Sequence, residues 1–337
     1  MSSSPLPRPP RLARVGALAV AGLVGAAVLT ACGSTGGGGS ASDGPPVVAS
    51  TTVYADIARR VAGGNATVEA VISDPTADPH SYEASPADAA AVTTADLVVY
   101  NGAGYDAFVD RALDTAGDVP VVRAVDEFAA ATGATVADHA GGHADADGGH
   151  ADEAGTNEHV WFSLPTAAAV AERIAGELAG IDPGHAQEYR DNARDFTDAL
   201  TPLEDRLDQI HDRGRFRYAQ TERVAAHLFD AAHLEDLTPR GFLSSVEDDT
   251  DPSAADLAAM LDLVSEGRVA FLAFNTQTVT PVTSRVRDAA EEADLVVVDL
   301  TETLPEGSDY VTWMTGIVDS LSSALAGATR RAILARP

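Results

Sequence analysis

The chain has 337 residues, of which 45% are hydrophobic and 22% charged, a globular composition with room for two domains. Its 51 Asp and Glu residues against 22 Lys and Arg give a formal net charge of −29, which excludes a protein that binds nucleic acid through its phosphates. A single cysteine excludes a disulfide framework and any multi-cysteine zinc site.

The first 31 residues predict a lipoprotein signal peptide. Three arginines form a positive region ahead of an apolar segment: Arg8, Arg11 and Arg14. The apolar segment, residues 15–31, has signal-peptide length and ends in LTAC, which resembles a bacterial lipobox with Cys32 at the lipidation position. The alternative is a signal anchor with a chance cysteine. Residues 32–46 read as a Gly/Ser tether, so we expect a lipoprotein anchored to the outer face of the cell membrane.

Residues 47–182 predict an N-terminal α/β lobe. Strands with the sequences PVVAST, VEAVI, ADLVVYN and VPVVRAV are separated by stretches that include amphipathic helices. Ser85 and Pro86 are typical of a helix start, with serine as the N-cap and proline at the first helical position. The helix LPTAAAVAERIAGELAG follows later in the same lobe.

Within this lobe, residues 138–158 have no hydrophobic periodicity and predict a disordered loop. Its histidines, His139, His143 and His150, stand among aspartates and glutamates. The loop could collect metal weakly, or it could be a solvated acidic linker with incidental histidines.

A long charged helix at 183–213 is predicted to connect this lobe to a second one at 214–337. Pro202 should bend the helix without ending it. The second lobe repeats the alternation, with strands FRYAQT, RVAFLAFN and DLVVVDL each followed by a helical stretch. Alternating strands and helices predict mostly parallel sheets flanked by helices on both faces.

Polar side chains follow the predicted strands, where ligands bind in open parallel sheets. They are His80, Asn101, Glu222, Asn275 and Glu302, and His159 follows the acidic loop. Taken singly, each has an ordinary explanation: a solvated loop histidine, a core histidine, or a carboxylate at a helix N-terminus. Two imidazoles and two carboxylates divided between two lobes, however, suit a divalent transition metal.

The motifs around these residues resemble a known family. DPHSYE at 78–83, EHVWFSLP at 158–165, TE at 221–222 and TETLPEG with a later Tyr-x-x-Trp at 301–313 are similar to motifs of the zinc/manganese-binding solute receptors of bacterial ABC importers, of the cluster A-I type. The resemblance implies two α/β lobes joined by one backbone helix, with a single metal in the cleft. Carried over residue by residue, the implied ligands are His80, His159, Glu222 and Glu302.

The chain departs from the family pattern at two of these positions. Zinc-binding members often have histidine at the position of Glu222, and aspartate is common at the position of Glu302. Asp299 is a rival to Glu302, whereas His227 lies more than one helical turn from Glu222 and is an implausible substitute. Two carboxylates suit manganese, but the usual divalent affinity order and the histidines of the loop favour zinc. Protonation of the histidines should weaken binding as the pH falls through about 6.5.

We therefore expect a monomeric, non-enzymatic binding protein that captures zinc, or alternatively manganese, and delivers it to an ABC-importer permease. One alternative is a surface adhesin whose metal is structural. The other is a secreted metal-dependent hydrolase, which would need an open coordination position and a nearby general base. The sequence has no HExxH helix and no GxSxG elbow, the usual signs of a hydrolase.

Replacing Cys32 with serine should abolish lipidation and leave the protein outside the membrane fraction. An attached diacyl chain contributes about 0.8 kcal/mol per buried methylene to membrane binding. Fractionation of cells that express the wild-type and Cys32→Ser chains, with mass spectrometry of the N-terminus, measures both effects. Unchanged processing and fractionation of the variant would contradict the lipobox assignment.

Overall fold

The computed structural model describes residues 44–134 and 157–334, apart from residues 76, 78 and 81. The predicted signal peptide, Cys32, most of the tether and nearly all of the 138–158 loop lie outside the described residues, so the predictions made for them stay predictions. Within the described part of the chain, none of the helices combines the length and the apolar character needed to cross a membrane.

The first sheet contains four parallel strands with the order β2-β1-β3-β4. The strands are β1 (Pro46–Thr51), β2 (Thr67–Ile72), β3 (Leu97–Tyr100) and β4 (Val121–Arg123). The helices that accompany them are α1 (Thr52–Ala62), α2 (Pro86–Thr94), α3 (Ala107–Leu113) and α4 (Ala124–Thr132). Ser85 caps α2 as predicted, since its hydroxyl accepts from the Asp88 amide while the Asp88 carboxylate accepts from the Ser85 amide.

Two long helices follow, α5 (Leu164–Ile181) and α6 (Ala186–Asp212), each preceded by a short 3₁₀ turn, at Val160–Phe162 and Pro183–His185. In α6 the buried side chains recur every three or four residues: Tyr189, Ala193, Phe196, Leu200, Leu203, Leu207 and Ile210. The helix runs through Pro202, which lies on its exposed side.

The second sheet repeats the topology of the first, with four parallel strands in the order β6-β5-β7-β8. Its strands are β5 (Arg217–Gln220), β6 (Glu235–Asp236), β7 (Phe271–Asn275) and β8 (Val296–Leu300). Its helices are α7 (Ala226–Ala231), α8 (Arg240–Glu247), α9 (Ala254–Ser265), α10 (Pro281–Glu292) and α11 (Tyr310–Leu334).

The structure differs from the sequence-based elements in three places. The strand predicted through Val125 ends at Arg123, because α4 begins directly at Ala124. The helix predicted from Glu222 begins only at Ala226, so Glu222 lies in a turn beyond the end of β5. The helices α3, α4, α8 and α9 and the two-residue strand β6 were not predicted. All of them except α9 are at most nine residues long, and short elements carry too little periodicity to be recognised.

One continuous hydrophobic core contains residues of both sheets. Trp161, which is 1% exposed, packs edge-on against Tyr54 of α1 and contacts Tyr105. The Tyr310 hydroxyl at the start of α11 donates to the Trp161 carbonyl at 2.6 Å. Because full burial of such a side chain contributes about 1.5–3 kcal/mol, packing as well as the backbone helix α6 holds the two lobes together.

Candidate metal centre

The carboxyl ends of the parallel strands present three of the four predicted ligands. His80 lies in the loop after β2, Glu222 follows β5 and Glu302 follows β8. His159 comes instead from the segment that leads into the 3₁₀ turn at Val160–Phe162. Each of these four residues lies outside regular helix or strand, so its side chain can turn away from the sheet toward a common point.

Ligand atoms of His80, His159, Glu222 and Glu302 all lie within 4.8 Å of one another. The Nε2 atoms of His80 and His159 are 3.2 and 3.4 Å from Oε2 of Glu302. Three of the residues are buried, His159 at 2%, Glu222 at 7% and Glu302 at 1% exposure, whereas the His80 side chain is 32% exposed. The centre is therefore enclosed except on the side of His80.

Asn275 and Thr278 orient the two carboxylates. The side-chain amide of Asn275, the last residue of β7, donates to Glu222 Oε2 at 2.6 Å and to Glu302 Oε1 at 2.8 Å. The Thr278 hydroxyl donates to Glu222 Oε2 at 2.6 Å. These bonds leave Glu302 Oε2 facing the histidines. Removal of a group that orients a metal ligand in this way typically lowers metal affinity by about 10–100-fold.

Asn157 orients His159. Its side-chain oxygen lies 2.8 Å from Nδ1 of His159, which makes Nδ1 the donor and directs Nε2 toward the centre. His159 Nε2 and Glu302 Oε2 are both buried, and the 3.4 Å contact between them is longer than a usual charge-assisted hydrogen bond. Buried polar atoms are normally well satisfied, so atoms held by such a long contact fit a site for a bound cation.

Opposite charges outweigh burial at three of the four side chains. Burial lowers the pKa of His80, but the hydrogen bond and charge of Glu302 outweigh it and raise the pKa to about 9. Burial also lowers the pKa of His159, but the hydrogen bond with Glu302 and the charge of Glu158 outweigh it and raise that pKa. Burial raises the pKa of Glu302, but hydrogen bonds from His159 and His80 hold that pKa below its ordinary value. At Glu222, burial and then the charge of Glu302 raise the pKa.

The charges in the centre balance in two ways. In the metal-free protein, the raised pKa of His80 favours a protonated imidazole opposite the carboxylates of Glu222 and Glu302. A divalent cation would supply positive charge at the same place and needs neutral imidazoles as ligands. Release of protons on metal binding would therefore offset part of the change in charge of this buried centre.

Aromatic rings line the histidine side of the centre. His80 packs edge-on against Tyr105 with ring centroids 4.9 Å apart, and His159 packs against Trp161 at 5.2 Å. Tyr105 and Trp161 are 3% and 1% exposed. The rings exclude water from this side, which strengthens the electrostatic interactions inside the centre.

The loop that carries His80 is bonded to the second lobe. The side-chain amide of Gln277 donates to the Pro75 carbonyl at 3.0 Å, and the Thr303 hydroxyl donates to the same carbonyl at 2.9 Å. The side-chain oxygen of Gln277 in turn accepts from the backbone amide of Glu302. The position of His80 therefore depends on residues adjacent to Glu302.

Two other residues weighed as ligands lie outside the cluster. Asp299 lies in β8 between buried neighbours, points to solvent and pairs with Arg287 at 2.7 Å, so it takes no part in the cluster. His227 lies 3.0 Å from the Asn157 carbonyl and is also outside the cluster, as expected.

Sequence reasoning missed most of the residues that orient the ligands. Asn275 was recognised as a polar residue at a strand end, but its bonds to both carboxylates were not predicted. Asn157, Gln277 and Thr278 were not singled out. Their nearness to a ligand or to Asn275 in the chain is the only signal that could have identified them.

Comparison with known proteins identifies a family. Residues 47–324 match the family model described as zinc-uptake complex component A, periplasmic. The manganese-binding lipoprotein MntA of Bacillus subtilis is 26% identical over 254 residues, 72% of this chain and 74% of that protein. The zinc-binding lipoprotein AdcA of Streptococcus pneumoniae is 27% identical over 275 residues, 78% of this chain but only 53% of that protein. The chain thus spans about half the length of AdcA.

A solved structure has the same fold. The periplasmic zinc binding protein TroA of Treponema pallidum superposes with a TM-score of 0.66 at 18% identity, over 84% of this chain and 99% of that chain. The predicted fold class, two lobes with parallel sheets flanked by helices and joined by one long helix, is confirmed.

Zinc binding at pH 7.5 should release about one proton from His80, whose pKa is raised to about 9 in the metal-free protein, and the raised pKa of His159 should add to this number. Calorimetric titrations in buffers of different ionisation enthalpy measure the number released. His80→Ala should release about one proton fewer. His185→Ala, which removes an exposed imidazole bonded to Asp182, should release the same number as the wild type.

The raised pKa moves the expected pH window upward from the ordinary value near 6.5. Metal affinity should increase from about pH 6.5 to about pH 9, where His80 loses its proton unaided. Protonated His80 stabilises the metal-free fold, and this stabilisation decreases as the pH rises. It is fully present below about pH 6.5, the ordinary pKa of histidine, and is lost as the pH rises through about 9. Binding without proton release at pH 7.5 would contradict both statements.

Proposed function

The chain belongs to the periplasmic zinc-uptake component A family, whose members are metal-binding receptors and not enzymes, and we propose that it captures one divalent transition metal outside the cytoplasmic membrane and delivers it to an ABC-importer permease. The observation that carries this proposal is the convergence of His80, His159, Glu222 and Glu302 within 4.8 Å. These four residues are the proposed ligands.

The ligand set suits capture and release better than catalysis. Four protein ligands close the coordination sphere, whereas a catalytic zinc keeps a position open for water. Three ligands are buried and supported by hydrogen bonds, so they form a preorganised half-site. His80 alone is partly exposed and lies on a loop, which makes it the ligand at which metal enters and leaves.

Zinc is the proposed cargo and manganese the alternative. Two neutral imidazoles and two carboxylates balance the charge of a divalent ion. This charge balance is the same for zinc and manganese and does not distinguish them. For a mixed nitrogen and oxygen site, the usual divalent order places zinc above manganese in affinity. Glutamates that bind through both oxygens would raise the coordination number, which favours manganese, but the two imidazoles gain more from zinc.

Delivery to a permease requires that the receptor stay near the membrane. The proposed anchor is a lipid on Cys32, with the Gly/Ser residues 32–46 as a flexible tether. MntA and AdcA are both named as lipoproteins, which supports an extracytoplasmic, membrane-anchored location. A monomer on such a tether can present its cleft to the permease.

Removing a ligand should greatly reduce metal affinity. We expect His159→Ala and Glu302→Gln each to weaken zinc binding by more than about 100-fold, beyond the 10–100-fold range of orienting groups. The matched control is Asp299→Asn, an acid-to-amide change three residues from Glu302 that should leave the affinity unchanged. Competition with a chromogenic chelator measures the affinities. If Asp299→Asn weakened binding and Glu302→Gln did not, the ligand assignment would be wrong.

The choice of cargo is tested by a competition titration of zinc against manganese at neutral pH. We expect tighter zinc binding, because equilibrium affinity at a mixed imidazole and carboxylate site follows the usual divalent order. A manganese dissociation constant equal to or below that of zinc would overturn the zinc assignment and leave the four-ligand site intact.

A further inference from the structure

Two histidines meet at the surface of the second lobe, away from the candidate metal centre. His211 lies in the last turn of α6, and His233 lies between α7 and β6. Their Nδ1 atoms are 2.8 Å apart, and their ring centroids are 4.0 Å apart with the planes at 80°. Both residues are exposed. We propose that this pair is a second metal site, suited to a cation of the copper(II) or nickel(II) class.

The separation of the two nitrogens suits a particular coordination geometry. Metal–imidazole bonds of about 2.0–2.1 Å hold two nitrogens about 2.9 Å apart at a right angle and about 3.4 Å apart at the tetrahedral angle. The observed 2.8 Å is close to the first value. Right-angled nitrogen and oxygen ligands are typical of square-planar copper(II) and nickel(II), whereas zinc prefers the tetrahedral arrangement.

The backbone holds His233 in this position. Its φ of 52° lies in the left-handed region, which costs energy for a residue with a side chain and in which histidine is nevertheless over-represented. The His233 amide donates to the Asp230 carbonyl at 2.9 Å, which closes the turn after α7. The imidazole therefore faces His211 from a fixed turn rather than from a freely moving loop.

Two carboxylates line the same cavity as the histidines. The cavity is open, has a volume of about 670 Å³ and is lined in part by Asp230 and Glu235. Arg215 also lines this cavity, so its positive charge opposes the cation in part. The two imidazoles are the protein ligands of the proposed site, and water completes a four-coordinate plane that is open to solvent.

The site lies at the opposite edge of the sheet from the candidate metal centre. His211 precedes the first residue of β5 and His233 precedes β6, whereas Glu222 and Glu302 follow β5 and β8. The strands are parallel, so their amino and carboxyl ends form opposite edges. The two sites share no ligand. A cation such as copper(II) that is bound at the surface site therefore does not block the cleft.

The test is a copper(II) chloride titration followed by electron paramagnetic resonance. The full chain carries Cys32→Ser and alanine at the three loop histidines, His139, His143 and His150, so that their side chains contribute no copper ligands. His233→Asn is the informative variant, because asparagine tolerates the left-handed backbone conformation. His211→Asn provides the second variant, and His185→Asn, another exposed histidine that is bonded to a carboxylate, is the matched control. Thermal melting verifies that each variant is folded.

The parent chain should bind about one more copper ion tightly than either His211→Asn or His233→Asn. Each of these substitutions should lower the affinity for that ion by more than about tenfold. His185→Asn should match the parent. Equal copper binding by the parent and both variants, or an equal loss in His185→Asn, would overturn the proposal and leave the 2.8 Å contact as a hydrogen bond between imidazoles.

The same experiment in a His80→Ala background separates the two sites. The proposal is supported if His80→Ala loses one copper ion, His233→Asn loses another, and the double variant loses both. Such additive losses indicate two independent sites. If His80→Ala removes no ion while His233→Asn does, the central ligand assignment fails and the surface site stands. If only His80→Ala removes an ion, the surface site fails alone.

Discussion

Two carboxylates buried at one point are the constraint on which the rest of the site depends. Glu222 and Glu302 are 7% and 1% exposed and share a single amide donor, Asn275. A buried charge without a partner is strongly destabilising. The fold meets this cost with two imidazoles from the first lobe, whose pKa values are raised by the neighbouring carboxylates.

The repeated topology brings these groups together. Both sheets place their first strand in the middle, with the second strand on one side and the third and fourth on the other. Polar residues after the strands of each lobe therefore meet in the cleft between them. Gln277 and Thr303 extend this arrangement, because they bond the Pro75 carbonyl in the loop of His80 and adjoin Glu302. These bonds link the loop that carries His80 to the second lobe.

The candidate metal centre and the proposed surface site use the same imidazole chemistry with different surroundings. His159 is buried, bonded at Nδ1 by Asn157 and opposed by carboxylates, and these features favour a metal that is held tightly and exchanged for protons. His211 and His233 are exposed and face each other directly, so coordination geometry, rather than burial, determines which cation they prefer.

The sequence by itself determined the alternation of strands and helices, the cap at Ser85 and the buried stripe of α6, and its motifs singled out His80, His159, Glu222 and Glu302, which the fold brings together. Those features depend on local periodicity or on short motifs, which can be recognised without long-range information. Only the tertiary structure showed that Glu302 lies in the cluster whereas Asp299 points to solvent and pairs with Arg287, because the direction of each side chain depends on the path of the backbone in and after β8. The raised pKa of His80, the bonds of Asn275 to both carboxylates and the contact of His211 with His233 likewise come from residues 22 to 222 positions apart, whose approach depends on the packing of the whole chain.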